Sequence, residues 1–199
     1  SAYSLIWNPA TVQSVENHWA KETVNDLAAR LVIFNPETFE PDQAITRADF
    51  AEYIVRALGL YREGSGYENK FTDVRSTDVP NTDPRTQAIA IAAAYRIVSG
   101  YPDGTFRPEQ HITREEAMAM YQRAMVLTKL TGSDKDRYQD YTDFAAVSSW
   151  AEEAVKAVLA AHVINGTSAV TISPKANLTY AETAQAIKNL LVESKLINK

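Results

Sequence analysis

The chain has 199 residues, 45% of them hydrophobic, and a formal net charge of −5. That is enough apolar material for the core of one ordinary domain or two small ones. No apolar run approaches the roughly 18–20 residues that cross a bilayer, and Ser1 to Ala10 lacks the basic segment of a secretion signal. The acidic balance excludes a broad nucleic-acid surface. The lack of cysteine excludes disulfides and thiolate zinc sites, and His18, His111 and His162 have no i, i+4 pair to hold a metal. No cofactor is expected, and an anionic partner must be met by local positive charge.

In chain order, the first predicted helix begins at Trp19 and carries Val24, Leu27, Ala28 and Val32 at the 3, 4 spacing of an amphipathic helix. A turn at Asn35-Pro-Glu-Thr follows, and then Phe39-Glu-Pro-Asp-Gln-Ala-Ile-Thr-Arg-Ala-Asp49, which opens a second helix. The pattern then returns. Pro84, Ile89, Ala92, Ala93 and Ile97 mark a helix; Ser99-Gly-Tyr-Pro-Asp-Gly-Thr a turn; and Phe106-Arg-Pro-Glu-Gln-His-Ile-Thr-Arg-Glu-Glu116 another helix start. It returns once more, with Trp150, Val155, Val158, Leu159 and Val163, the turn at Asn165-Gly-Thr-Ser, and Ile172-Ser-Pro-Lys-Ala-Asn-Leu-Thr-Tyr-Ala-Glu182. Thr46, Thr113 and Thr179 match, 67 and then 66 residues apart, which defines an internal repeat. Phe71-Thr-Asp73 and Tyr141-Thr-Asp143 open the second and third copies. Charged, glycine-bearing stretches (61–70 and 131–140) separate the copies as solvated linkers, the acidic one at Asp134 to Asp143 lacking the glycine and final glutamate of a calcium loop.

Thr-x-x-Asp/Glu is a capping box, in which the threonine oxygen takes the third helical amide and the acid reaches back to the threonine amide. Thr46/Asp49, Thr113/Glu116 and Thr179/Glu182 all fit it, so these carboxylates are structural and not catalytic. The second helices carry apolar stripes in register, such as Phe50/Ala117, Ile54/Tyr121/Ile187 and Leu58/Met125/Leu191. No such helix buries its stripe alone, and three can cover one another around a pseudo-threefold axis. The predicted fold is therefore all-α, a pseudo-threefold trimer of helix-loop-helix repeats (1–66, 67–134, 135–199) around a central three-helix bundle, together one domain and a monomer. Arg47 and Arg114 stand at first helical positions, where a cation opposes the helix dipole at about 0.3–1 kcal/mol. Capping does not require arginine, and a ligand explains it better.

The Ile-Thr-Arg-Ala-Asp and Ile-Thr-Arg-Glu-Glu motifs resemble the signature of S-layer homology (SLH) domains, as do His18-Trp19-Ala20 and Gly100-Tyr-Pro-Asp-Gly-Thr-Phe-Arg-Pro108. The resemblance runs from about Val12 to Leu191. It implies a non-enzymatic module at the surface of a Gram-positive bacterium, anchored non-covalently to an anionic secondary cell-wall polysaccharide carrying pyruvate-ketal sugar. It also implies ligand grooves between neighbouring repeats. Arg47 and Arg114 then clamp the ketal carboxylate through parallel hydrogen bonds. Ser99, Gly100, Tyr101, Asn165 and Gly166 line the grooves from the turns. Trp19 and Trp150 either line grooves or pack in the core. Tyr180 in place of the third arginine, Pro84 in place of the second tryptophan, and the short first turn predict one or two working grooves. The alternative is a structural or protein-interaction module with degenerate grooves.

Overall fold

The computed structural model describes residues 9–74 and 83–198. The described chain is helical, without a sheet: α1 (Lys21–Ala29), α2 (Arg47–Ala57), α3 (Pro84–Ala94), α4 (Arg114–Thr128), α5 (Glu152–Ala160) and α6 (Tyr180–Glu193), with short 3-10 turns between them. Pro84 is the first residue of α3, behind an Asp83 side chain that accepts from the amides of Arg85 and Thr86. The first and fifth helices start two residues later than their tryptophans suggest, at Lys21 and Glu152.

Packing does not follow the sequence repeat. The first helix of each copy lies against the second helix of the copy before it: α3 on α2, α5 on α4, and α1 on α6 across the whole chain. The second helices meet through aromatic residues. Phe50 of α2 meets Tyr121 of α4 edge-on at 5.2 Å, the buried Tyr121 hydroxyl donates to the Thr183 carbonyl of α6, and Tyr53 of α2 meets the Tyr180 ring at 6.1 Å.

The helix starts explain why the copies need one another. The first amides of a helix have no partner within it. Here those of α2, α4 and α6 are satisfied by the next copy: Arg47 N donates to Gln110 O, Arg114 N to Ala176 O, and Tyr180 N to Gln43 O, at 2.9 to 3.0 Å. The next amide along repeats the exchange, Ala48 to Pro108, Glu115 to Pro174 and Ala181 to Pro41. Isolated antiparallel bridges follow the same cycle, Thr46 with His111, Thr113 with Asn177, and Thr179 with Ala44. The third amide goes to the threonine in every copy. The reciprocal half differs: α4 and α6 carry complete capping boxes, but α2 does not. Asp49 is one methylene shorter than Glu116 and Glu182, and its carboxylate takes the Tyr180 hydroxyl instead.

The openings of copies two and three are clasps, and the stretch between copies two and three is mostly exposed, as expected of a solvated linker, touching the fold at Gly132 and Tyr138. Asp73 accepts from the Phe106 and Arg107 amides, both at 2.8 Å, and Asp143 from those of Ile172 and Ser173 at 2.9 and 2.8 Å. Arg107 and Ser173 have positive φ, so each aspartate holds a turn that neither residue favours alone. Gly132 lies so close to Ala160 and Ala161 that a Cβ would stand 2.2 Å from backbone.

Copies two and three are also joined by Glu115, a buried carboxylate that accepts from the Ser148 amide and hydroxyl (2.9 Å each) and from Lys175 Nζ at 2.6 Å. Burial raises its pKa, but the bonds from Lys175 and Ser148 outweigh this and hold the carboxyl below its usual range. A depressed folded pKa gives stability that is present above the unfolded value of about 4.3 and is lost as pH falls through the folded value. Glu115→Gln is therefore expected to lower the denaturant midpoint at neutral pH, with the deficit shrinking progressively as the pH is taken below about 4. A deficit that persists undiminished in acid would mean that shape rather than charge holds this joint.

Candidate functional site

The residues singled out in the sequence fall into two cavities, each built from all three copies. The first, about 210 Å³, is lined by Arg47 from copy one, by Ser99, Gly100, Tyr101, Glu116 and Arg123 from copy two, and by Trp150 from copy three. The second, about 380 Å³, takes Arg114 from copy two, Asn165, Gly166, Thr167, Glu182, Gln185 and Asn189 from copy three, and Trp19 from copy one. The cyclic exchange at the helix starts explains this mixing, because it sets the first turn of each bundle helix beside the turn of the next copy. Trp19 and Trp150 are 62% and 61% exposed, which removes core packing as their role and leaves two aromatic faces on groove rims.

Both arginines are buried, at 5% and 3% exposure, and neither is a solvated surface side chain. Arg47 donates through Nε to the Phe106 carbonyl (2.8 Å) and through Nη2 to that of Ser99 (3.1 Å). Its guanidinium carbon lies 4.9 Å from the Tyr101 ring centroid and 4.8 Å from that of Phe106. Nη1 has no hydrogen-bond partner among the described residues. Arg114 makes the same two backbone bonds, to Ile172 O at 2.7 Å and Asn165 O at 2.9 Å, but its Nη1 pairs with Glu182 Oε1 at 2.8 Å. Burial pulls both guanidinium pKa values down, opposed by Tyr101 and Glu116 at Arg47 and by Glu182 at Arg114. Both arginines thus have a folding role that a first-turn cation did not suggest: each stitches two copies together through backbone carbonyls.

The glycines are explained by packing. A Cβ on Gly100 would stand 2.4 Å from the Phe71 ring and 2.6 Å from Thr105 O, and one on Gly166 would stand 2.3 Å from Ser168 O and 2.7 Å from the Tyr141 ring. The amides of Tyr101 and Thr167 close the turns onto Thr105 and Thr171. Asn165 offers its carbonyl to Arg114 and its side-chain oxygen to Arg137.

The third position is filled by aromatic side chains. The Tyr180 hydroxyl donates to Asp49 Oδ2 at 2.5 Å, the Tyr53 hydroxyl to Asn35 Oδ1 at 2.5 Å, and Phe39 meets the Tyr180 ring edge-on at 5.9 Å. Burial, reinforced by the bond to Asp49, pushes the Tyr180 phenol well above its ordinary pKa, so it remains a neutral donor.

Arg123, Gln185 and Asn189 were not foreseen as lining residues. The available signal was register: nine residues past positions 47, 114 and 180 stand Arg56, Arg123 and Asn189. Arg123 reaches Ile97 O and Ser99 Oγ only at 3.4 and 3.5 Å, and so adds a lightly held second cation to the first groove. Gln185 and Asn189 give the second groove an amide lining, linked by a 2.9 Å hydrogen bond.

A family model for the S-layer homology domain matches residues 12–51, 77–118 and 140–184. The chain is 32% identical, over 98% of its length, to an amylopullulanase of Thermoanaerobacterium thermosulfurigenes, of which it covers 10%. It is 39% identical, over 44% of its length, to 8% of a surface layer protein of Brevibacillus choshinensis. It is 30% identical, over 77% of its length, to 33% of a cellulosome-anchoring protein of Acetivibrio thermocellus. The chain belongs to the S-layer homology domain family, and it spans a third or less of each of these relatives.

Proposed function

We propose that this chain is a cell-surface anchoring module that holds an anionic secondary cell-wall polysaccharide through the groove of Arg47. The observation that carries the reading is the Arg47 guanidinium, lying over two rings and tied by two backbone carbonyls, with one nitrogen unspent on a cavity of about 210 Å³. A planar carboxylate such as a pyruvate ketal suits that nitrogen, with Arg123 as a second donor on the same cavity. The exposed Trp150 ring offers a face to the apolar side of a sugar. Family membership and the names of the surface-layer and cellulosome-anchoring relatives support a cell-wall location.

The module itself is non-catalytic in this reading. The carboxylates at the helix starts are engaged by Tyr180, Thr113, Thr179 and Arg114, and the match to the amylopullulanase covers only 10% of that protein. Purified protein is expected to sediment with cell-wall sacculi and to stop doing so once hydrofluoric acid has stripped the polymer. Undiminished sedimentation with stripped sacculi would remove the polymer as ligand. A second reading, a protein-interaction or structural module, is favoured by the closed third position and the paired Arg114. Calorimetry with pyruvylated N-acetylmannosamine separates the two, since that reading requires silence.

A further inference from the structure

The two grooves hold the same pair of charges at matching positions, yet their arginines are in different states. In the first, the Arg47 guanidinium lies over the rings of both Tyr101 and Phe106, and Arg107 covers the Tyr101 ring at 3.8 Å. In the second, the corresponding residues are Thr167 and Ile172, so no aromatic pair fixes the guanidinium plane. There Nη1 of Arg114 meets Glu182 Oε1 at 2.8 Å, while Glu182 Oε2 keeps the Thr179 amide at 2.9 Å. One carboxylate thus serves as helix cap and arginine partner together. Glu116, at the same position in the first groove, takes the Thr113 amide at 2.8 Å and forms no ion pair with Arg47. Counting formal charges on the linings, the first groove has two cations (Arg47, Arg123) against one carboxylate (Glu116), and the second has one (Arg114) against one (Glu182).

From this contrast we infer that Glu182 closes the second groove to carboxylate-bearing sugars and that Tyr101 holds the first groove open, so that one such sugar binds per chain. The inference rests on the carboxylate-binding role proposed above for Arg47. An incoming carboxylate in the second groove has to displace a carboxylate that is already attached to the chain. The internal partner gives up no translational freedom on pairing, and the ligand does. The ligand would also lie beside an unpaired Glu182 if it won, and like charges at that range repel. The remaining lining of this groove, Trp19, Gln185 and Asn189, bears no charge.

Glu182→Gln tests this without losing the helix start, because glutamine also completes a capping box. Titrated with pyruvylated N-acetylmannosamine in a calorimeter, the parent is expected to take one sugar per chain and Glu182→Gln two, with the thermal midpoint lowered by the lost ion pair but the chain still folded. A second variant approaches from the other side: Thr167→Tyr supplies the missing ring with Glu182 intact and is also expected to raise the stoichiometry. A parent that already takes two sugars overturns the inference and leaves the Arg47 reading standing. So does a parent that takes one while both folded variants still take one. Silence in the parent overturns the Arg47 reading itself, and silence in all three proteins overturns both.

Discussion

Arg47→Ala is expected to reduce affinity for a pyruvylated sugar by about 10- to 100-fold, since hydrogen bonds to charged groups contribute about 1.5–3 kcal/mol. The same change removes the bonds to Ser99 O and Phe106 O, so the thermal midpoint is expected to fall as well. Arg114→Ala is the informative companion. It removes two backbone bonds and leaves Glu182 without its cation, and breaking a buried ion pair costs about 3–5 kcal/mol. Because the Glu182 side chain keeps 28% of its surface and its Thr179 partner, roughly 2 kcal/mol is a better expectation after solvent screening. Calorimetry beside thermal denaturation should therefore separate the two arginines. Arg47→Ala loses binding out of proportion to stability, and Arg114→Ala loses stability with the affinity held within a few-fold. Equal losses of affinity in both variants would mean that both grooves take the anion.

The architecture was legible because it is written locally and three times over. Thr46, Thr113 and Thr179 mark helix starts at a fixed period, and each takes the amide three residues on. The partner of each first helix was not legible, because it lies in another copy. The side chain of Thr23 in α1 donates to Gln185 in α6 across 162 residues, and no periodicity near Lys21 carries that information. The site was legible to the extent that its atoms are spent once. Reading Glu182 as a cap accounts for one carboxylate oxygen, but the second oxygen goes to Arg114, 68 positions away, which a capping pattern does not reach. The same limit applies to Asp49. Its spacing from Thr46 fits a capping box, but its shorter arm and the tyrosine at position 180 send the carboxylate elsewhere. Clasps such as Asp73 and Asp143 close over about 30 residues, beyond the reach of turn or capping patterns.

Gly100→Ala and Gly166→Ala are expected to be the most damaging single-methyl additions near the grooves. At Gly100 the new Cβ meets Thr105 O at 2.6 Å as well as the Phe71 ring, and the ring cannot simply retreat, because it rests on Phe106 at a centroid distance of 5.2 Å. At Gly166 the nearest atoms are backbone oxygens of Ser168 and Thr171, at 2.3 and 2.5 Å, which move only if the turn opens. Overpacking of this kind costs about 1–3 kcal/mol and more where backbone must shift. For a chain of this size each kcal/mol lowers the thermal midpoint by about 2–4 °C, so falls of about 5–10 °C are expected. Gly104 is the control within the same turn. Its φ of +82° favours glycine, but a Cβ there has only Thr72 Cγ2 nearby, at 3.8 Å, so Gly104→Ala should cost only the left-handed penalty of about 1–2 kcal/mol. The functional consequence follows from position. Ser99 O and Tyr101 flank Gly100 and hold Arg47 from two sides, so opening this turn should weaken sugar binding together with the midpoint. Opening the turn at Gly166 disturbs only the groove whose arginine already has Glu182, so stability should fall with binding retained. If both alanine variants melted like Gly104→Ala, the turns would be far looser than their packing indicates, and the stacking that fixes the Arg47 plane could not be maintained by them.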